Sequence, residues 1–123
     1  MTVLNEDMAR TGGYIVSSPN HTRGVERVVI ASGSGRVKAG TVLGKVTATG
    51  KYAPLNTAAT DGSQTAAAIL FEMCDATEAE MRRTVTIRDT EVAGGKLIWP
   101  ENMTDEQKRS ALADMAVIGI IVR

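Results

Sequence analysis

Glycines divide the middle of the chain into very short apolar runs, and this spacing limits the folds that it can adopt. In GRVKAGTVLGKVTATGKYAPL (residues 35–55), β-branched residues recur in stretches of only a few positions between glycines. Such runs suit strands, and the glycines suit tight turns between antiparallel neighbours. VERVVIASG, which begins at Val25, has the same character. This half of the chain is predicted to be β-structure.

The alanine-rich run AAAILFEM, which begins at Ala66, is ambiguous between helix and strand. Its propensity allows a helix, but the Asp61-Gly62 turn signal before it and the β-rich sequence around it favour a buried strand. DATEAEMRR (75–83) is polar and predicts a loop or one helical turn. RTVTIRDTEV (83–92) alternates most clearly and predicts one continuous strand, with Val85 and Ile87 on one face and Thr84, Thr86 and Arg88 on the other. AGGK then predicts a turn.

The only tryptophan of the chain stands directly before a proline. We expect residues 97–99 to end a short strand at Trp99 and Pro100, because proline has no N–H to donate to a sheet. Trp99 is predicted to be a core or subunit-contact residue rather than part of a small-ligand cage. Whether it packs inside one subunit or against a neighbour stays open.

A helix is predicted over residues 104–116. Thr104 and Gln107 have the spacing of a capping box, and two acids follow Thr104 in the first turn. The apolar positions at helical spacing are Ala111, Leu112, Met115 and Ala116. The apolar segment 117–123 predicts a closing strand, in which Gly119 indicates a bulge or close backbone packing.

The first 24 residues contain several glycines and other turn-forming residues, and we interpret them as an N-terminal arm. Only YIVS, which comprises Tyr14, Ile15, Val16 and Ser17, is a candidate extended stretch. Residues 25–123 then form a single domain, as the length of 123 residues suggests. The N-terminus has no signal-peptide pattern and no apolar run is long enough for a membrane span, so a soluble, unsecreted protein with no membrane partner is expected.

Composition and motifs argue against several classes of function. Fourteen basic and fourteen acidic residues give a net charge of zero without a basic cluster, so direct nucleic-acid binding is not expected. His21 is the only histidine and Cys74 the only cysteine, so neither a catalytic triad nor a metal site is predicted, and Cys74 is interpreted as a small, half-buried hydrophobic residue. SGSGR (32–36) is interpreted as a turn rather than as part of a dinucleotide site. We predict no enzyme activity and no cofactor.

One alternative involves a covalently modified lysine. The segment 38–52 invites comparison with biotinyl or lipoyl carrier domains, in which a lysine at a hairpin tip is acylated. Lys45 and Lys51 are the candidates, although each is flanked by residues unlike those of carrier turns, and ordinary strand-end lysines are the favoured interpretation. Intact-mass measurement of protein from a host that makes both cofactors distinguishes the two.

Two segments resemble the head decoration protein D family of bacteriophage lambda. They are ATDGSQTAAAIL (59–70) and LIWPENMTDEQKRSALADMAVIGIIV (97–122), and GTVLGKVT followed by KYAPL is also similar to that family. The similarity extends in the same order over about residues 38–122. The arm and the stretch 71–95 do not align residue by residue.

The resemblance implies a mainly β, α+β fold: a small β-rich, β-tulip-like decoration domain with one short C-terminal helix and a flexible arm. It also implies a homotrimer on the exterior of the virion capsid that binds the major capsid protein and stabilises the expanded head against packaged DNA. During assembly such a protein is expected in the bacterial host cytoplasm. Tyr14, Ile15, Val16 and Ser17 are then candidate capsid contacts, and Trp99 and Pro100 form a structural corner or subunit contact.

Overall fold

The computed structural model describes residues 11–18, 23–101 and 103–123, which contain ten strands, one 3-10 turn and one α-helix. The strands are β1 (Ile15–Ser17), β2 (Val25–Ile30), β3 (Gly35–Val37), β4 (Val42–Lys45), β5 (Tyr52–Pro54), β6 (Ala66–Leu70), β7 (Cys74–Ala76), β8 (Met81–Thr86), β9 (Thr90–Val92) and β10 (Ile120–Val122). The 3-10 turn is Gly94–Lys96, and the helix α1 is Asp105–Val117. The predicted mainly β fold with one C-terminal helix is confirmed.

Five strands close into a barrel in the order β2-β5-β4-β6-β8. The longest pairing joins β2 and β8, antiparallel from Val25 opposite Thr86 to Ile30 opposite Met81. The alanine-rich run is strand β6, as favoured from the sequence, and its small side chains lie between β4 and β8. The inward side chains of the barrel pack together with the separate two-stranded sheet β3-β7 in one buried cluster, which comprises Ile30, Val37, Leu43, Tyr52, Ala68, Leu70, Cys74, Ala76 and Val85. The contact that closes the barrel is short, because β2 and β5 pair only at Ile30 and Tyr52.

A second buried cluster lies outside the barrel wall. Because side chains alternate along a strand, Val42 and Ile69 point outward while their neighbours Leu43 and Leu70 point inward. We call this second cluster the outer core, and it comprises Tyr14, Val42, Leu55, Ala66, Ile69, Val92, Leu97, Ala111, Met115 and Ile120. The outer core is covered by the three-stranded sheet β1-β9-β10 and by α1. β1 pairs with β9 antiparallel and β10 pairs with β9 parallel.

Two predictions for the region 75–92 were wrong. Residues 75–83 are neither one loop nor a helical turn, since Asp75 and Ala76 belong to β7 and β8 begins at Met81. The strand predicted over 83–92 is two strands, β8 and β9, that belong to different sheets. The chain bends at Asp89, which has a φ of 48°. This left-handed backbone conformation is not extended, so a strand cannot continue through it. AGGK forms the expected turn, as the 3-10 segment.

The C-terminal helix has the predicted start. Thr104 is the N-cap, its hydroxyl accepts from the Gln107 N–H at 3.1 Å, and the Gln107 amide oxygen accepts from the Thr104 N–H at 2.9 Å. Of the predicted apolar positions, Ala111 and Met115 are buried and Leu112 half-buried, but Ala116 is exposed.

The segment after the helix differs from the single strand predicted over 117–123. Val117 is the last residue of α1 and is 86% exposed. Strand β10 begins only at Ile120 and ends at Val122. Gly119 separates the two elements with φ 86°. A Cβ at this position would lie 3.0 Å from the backbone nitrogen of Asp89, which confirms close backbone packing there.

Candidate functional site

Tyr14 anchors the start of the described chain in the outer core. Its side chain is 2% exposed, and its hydroxyl lies 2.5 Å from the Thr86 hydroxyl and donates at 3.4 Å to the Ile69 carbonyl. Burial raises the pKa of the Tyr14 phenol, although the hydrogen bond to Thr86 acts in the opposite direction. The phenol therefore stays neutral at physiological pH and serves as a structural anchor.

The three residues after Tyr14 form β1, which confirms the predicted extended stretch. Ile15 lies opposite Val92 and packs against the outer core, whereas Val16 is 55% exposed. A register shift occurs between Ile15 and Ser17, so Val16 has no partner position on β9. Of the four residues predicted to contact a capsid, Tyr14 faces the core and Val16 faces outward. Their role as capsid contacts stays a prediction.

Glu91 joins the first and last described strands. Its carboxylate accepts from the Ser17 hydroxyl at 2.6 Å, and the Arg123 side chain donates to it from Nε at 2.9 Å and from a terminal nitrogen at 2.5 Å. The Ser17 hydrogen bond and the Arg123 guanidinium lower the pKa of Glu91 below its usual value of 4.5. This network stabilises β1 against the centre of its sheet, and the sequence alone did not indicate it.

The backbone before Tyr14 crosses the outside of the barrel at β6. The Gly12 N–H donates to the Phe71 carbonyl at 2.8 Å. Gly12 has φ 65°, and a Cβ there would lie 2.7 Å from the ring of Phe71, so the close approach requires glycine. The route of the chain from Gly12 to Tyr14 therefore follows the outer surface of the barrel.

Trp99 and Pro100 form a corner that is partly buried. The strand predicted at 97–99 is reduced to one bridge between Thr41 and Ile98, where Val42 N–H donates to Ile98 O and Ile98 N–H donates to Gly40 O. Trp99 packs against the outer core, and Lys108 Nζ lies 5.4 Å from its ring centroid. Trp99 therefore contacts the core of its own subunit, and a further contact with a neighbouring subunit stays a prediction.

The same corner borders an open groove of about 640 Å³. Its walls include the apolar residues Pro54 and Leu55 and the basic residues Arg36 and Lys38. Trp99 Nε1 is buried, and among the described residues it has no hydrogen-bond acceptor. A buried N–H group without an acceptor lowers the stability of the isolated subunit, because it has lost its hydrogen bonds to water.

The groups that could carry covalent or metal chemistry are dispersed. Cys74 was predicted to be half-buried, but on β7 it is only 1% exposed because it packs among the buried residues of the barrel cluster, and this burial raises the pKa of its thiol. The described residues hold no group of three His, Cys, Asp or Glu side chains arranged for a metal ion. His21 lies outside the described residues. No helix of the described part is long and apolar enough to cross a membrane.

The two candidate lysines flank a hairpin turn and do not occupy its tip. Lys45 ends β4, with its Nζ 5.9 Å from the Tyr52 ring centroid. Lys51 precedes β5 and forms an ion pair with Glu80. The turn closes between them, where Gly50 N–H donates to Val46 O. SGSGR also forms a turn, since Ser34 N–H donates to Ala31 O, as expected.

Comparison with known families identifies the class of protein that this β-rich fold represents. The family model for the bacteriophage lambda head decoration protein D matches residues 3–120. The chain therefore belongs to this family of structural capsid decoration proteins. Its role is capsid decoration, and its location is the virion capsid. Among individual curated proteins, none matches the chain.

Proposed function

We propose that this protein binds the expanded phage head as a homotrimer and stabilises it against the pressure of packaged DNA by binding alone. The observation that carries the proposal is the family match, which spans 3–120 and so covers both the barrel and the C-terminal helix. The major capsid protein is the partner. Three copies joined in one particle hold neighbouring capsid subunits together.

The N-terminal segment is the proposed attachment arm, and the structure supports a defined base for it. Tyr14 is held by Thr86, and Ser17 is held by Glu91. A load applied to the preceding residues would therefore pass into the barrel and into the β1-β9-β10 sheet. Ordering each arm residue costs about 1–2 kcal/mol of conformational entropy, which contacts with the capsid must exceed. Three linked arms raise the effective concentration of each, so individually weak contacts can give tight attachment.

The direct experiment is co-sedimentation with expanded, undecorated capsids of the phage. Binding together with increased heat resistance of the capsids is expected. Failure of the wild-type protein to sediment with the capsids would contradict the proposal. Native mass in solution tests the trimer separately, since a stable monomer at high concentration is inconsistent with it.

A deletion tests the arm. Removal of residues 2–10 leaves Gly12 and Tyr14 in place, whereas a longer deletion through residue 20 would also remove the buried Tyr14 side chain. The shorter deletion is expected to weaken capsid binding while native mass and thermal unfolding stay unchanged. Unchanged capsid binding would refute the arm as an attachment element.

A further inference from the structure

The outer surface of β2 and β8 bears two arginines close together. In the antiparallel register Arg27 lies opposite Thr84 and Val29 lies opposite Arg82, so all four share one side of the sheet. Val85, the neighbour of Thr84, points into the barrel, which places this side outside. We call Arg27, Val29, Arg82 and Thr84 the outer β2–β8 face. Both arginines are exposed, and Val29 and Thr84 are half-buried.

Arg27 and Arg82 differ from the other arginines of this region in their partners. Arg23 pairs with Asp89, Arg83 with Glu72 and Arg88 with Glu26, at nitrogen–oxygen distances of 3.4, 3.7 and 2.8 Å. Within the described chain, neither Arg27 nor Arg82 forms a salt bridge with a carboxylate.

The two like charges are also neighbours across the strands. Arg27 donates to the backbone carbonyl of Arg82 at 3.2 Å. Diagonal positions of this kind are about 7–8 Å apart, within reach of long side chains, and like charges there repel each other. An acidic partner that lies over both would relieve this repulsion and supply acceptors for two guanidinium groups.

The outer β2–β8 face is continuous with the route of the N-terminal segment. Along β8 the outward residues are Thr86, Thr84 and Arg82. Tyr14 covers Thr86, and Gly12 lies on Phe71, whose N–H donates to Thr84 O. The chain thus enters the fold beside the two arginines. An arm bound to the capsid would bring this surface next to the same partner.

We infer that the outer β2–β8 face docks on an acidic patch of the major capsid protein through Arg27 and Arg82. This inference rests on the proposed function, because it assigns a second contact surface to the same partner. The arm supplies one attachment, and the arginines supply an electrostatic contact that orients the barrel on the shell. Such exposed charge pairs mainly govern the association rate and its dependence on salt.

The test uses full-length protein with both arginines reversed, Arg27→Glu with Arg82→Glu. A matched control reverses two exposed lysines on other elements, Lys45→Glu with Lys96→Glu, and changes the net charge equally. Dissociation constants are measured by co-sedimentation with expanded capsids over a series of salt concentrations. The arginine variant is expected to bind more than about tenfold more weakly at low salt, with a shallower salt dependence, while the control stays close to wild type.

Native mass and circular dichroism are recorded for every variant, and Arg27→Gln with Arg82→Gln is included in case charge reversal impairs folding. The Arg27→Gln, Arg82→Gln variant is expected to lose capsid affinity as well, but less than the charge-reversed variant. Binding by the folded arginine variants that equals the control would overturn the inference and leave the proposed function intact. A folded variant whose native mass falls would also overturn it, because the face would then be a subunit contact. Absence of wild-type binding would refute the proposed function itself.

Discussion

The hydroxyl groups of Tyr14 and Thr86 lie 2.5 Å apart although 72 residues separate them in the chain. Both side chains are almost completely buried. Their hydrogen bond links the N-terminal segment to the barrel strand that also supports the outer core. Together with the hydrogen bond from Gly12 N–H to Phe71 O, it fastens the start of the described chain to the barrel.

Tyr14→Phe should therefore destabilise the fold measurably. The substitution keeps the ring but leaves the buried Thr86 hydroxyl without this partner, at a cost of about 1–3 kcal/mol. The free energy of unfolding in urea provides the measurement. Tyr52→Phe is the control, since Tyr52 is also buried but its hydroxyl makes no hydrogen bond to another described residue. Equal losses in the two variants would contradict a specific role for the Tyr14–Thr86 bond.

The Glu91 network should make stability depend on pH in the acid range. The pKa of Glu91 is lowered in the folded state by Ser17 and Arg123. The unfolded chain therefore binds the proton more readily than the folded protein. The stabilisation from Glu91 is fully present above about pH 4.5 and is lost as the pH falls through the lower pKa that Glu91 has in the folded state. Asp61 and Asp75, whose pKa values are also lowered, contribute with the same sign.

Glu91→Gln should accordingly reduce stability at neutral pH and flatten part of the acid decline. Urea midpoints between about pH 3 and 7 give the comparison. Glu78→Gln removes an exposed acid from the segment between β7 and β8, away from this network, and serves as the control. If both variants follow the same curve, Glu91 is not the group responsible.

Thr104→Ala should weaken the C-terminal helix. The substitution removes the hydroxyl that accepts from Gln107 N–H, and loss of such a cap costs about 0.5–2 kcal/mol. Thermal and urea unfolding measure the effect. Ser110→Ala, at an exposed position inside the helix, should be neutral or slightly stabilising because alanine favours the helix. A neutral Thr104→Ala would show that the cap is dispensable.

Trp99 provides a comparison between packing and hydrogen bonding. Trp99→Ala should destabilise the subunit because it removes a ring from the outer core, though by less than the roughly 3–5 kcal/mol of a fully buried ring. Trp99→Phe should cost less, since it retains part of the packing and removes the Nε1 donor that has no acceptor among the described residues. Native mass measured beside stability separates the two roles. A folded Trp99→Ala monomer would assign the residue to a subunit contact.

Local sequence signals predicted those elements whose causes are local. The capping box at Thr104 and the short glycine-separated strands required only neighbouring residues, and both were confirmed. The expected antiparallel pairing of neighbours holds for β4 and β5, whereas β3 pairs with the distant β7. The break of the 83–92 strand was missed although the apolar alternation stops after Ile87, where four polar residues (88–91) follow in succession. In the fold the bend at Asp89 packs against Gly119, which comes from a distant part of the chain. Thr86 was predicted on the polar face of that strand, yet it is fully buried because Tyr14 covers it.

The candidate site was less predictable than the fold for a related reason. The stretch from Tyr14 to Ser17 was predicted to be extended, but it is anchored by hydrogen bonds to Thr86 and Glu91. Nothing in the sequence around Thr86 and Glu91 indicates these contacts. Arg27 and Arg82 lie close together on one surface because of the register between β2 and β8. Sequence spacing alone cannot supply that register.

The position of β1 also affects the order in which the protein is completed during synthesis. β1 leaves the ribosome before every other described strand, but Glu91, which binds Ser17, follows it by 74 residues. All five strands of the barrel end by Thr86, so during synthesis they are complete before Glu91 is available to bind Ser17. In a newly made subunit the base of the proposed arm can thus be secured only after the strands of the barrel have been made.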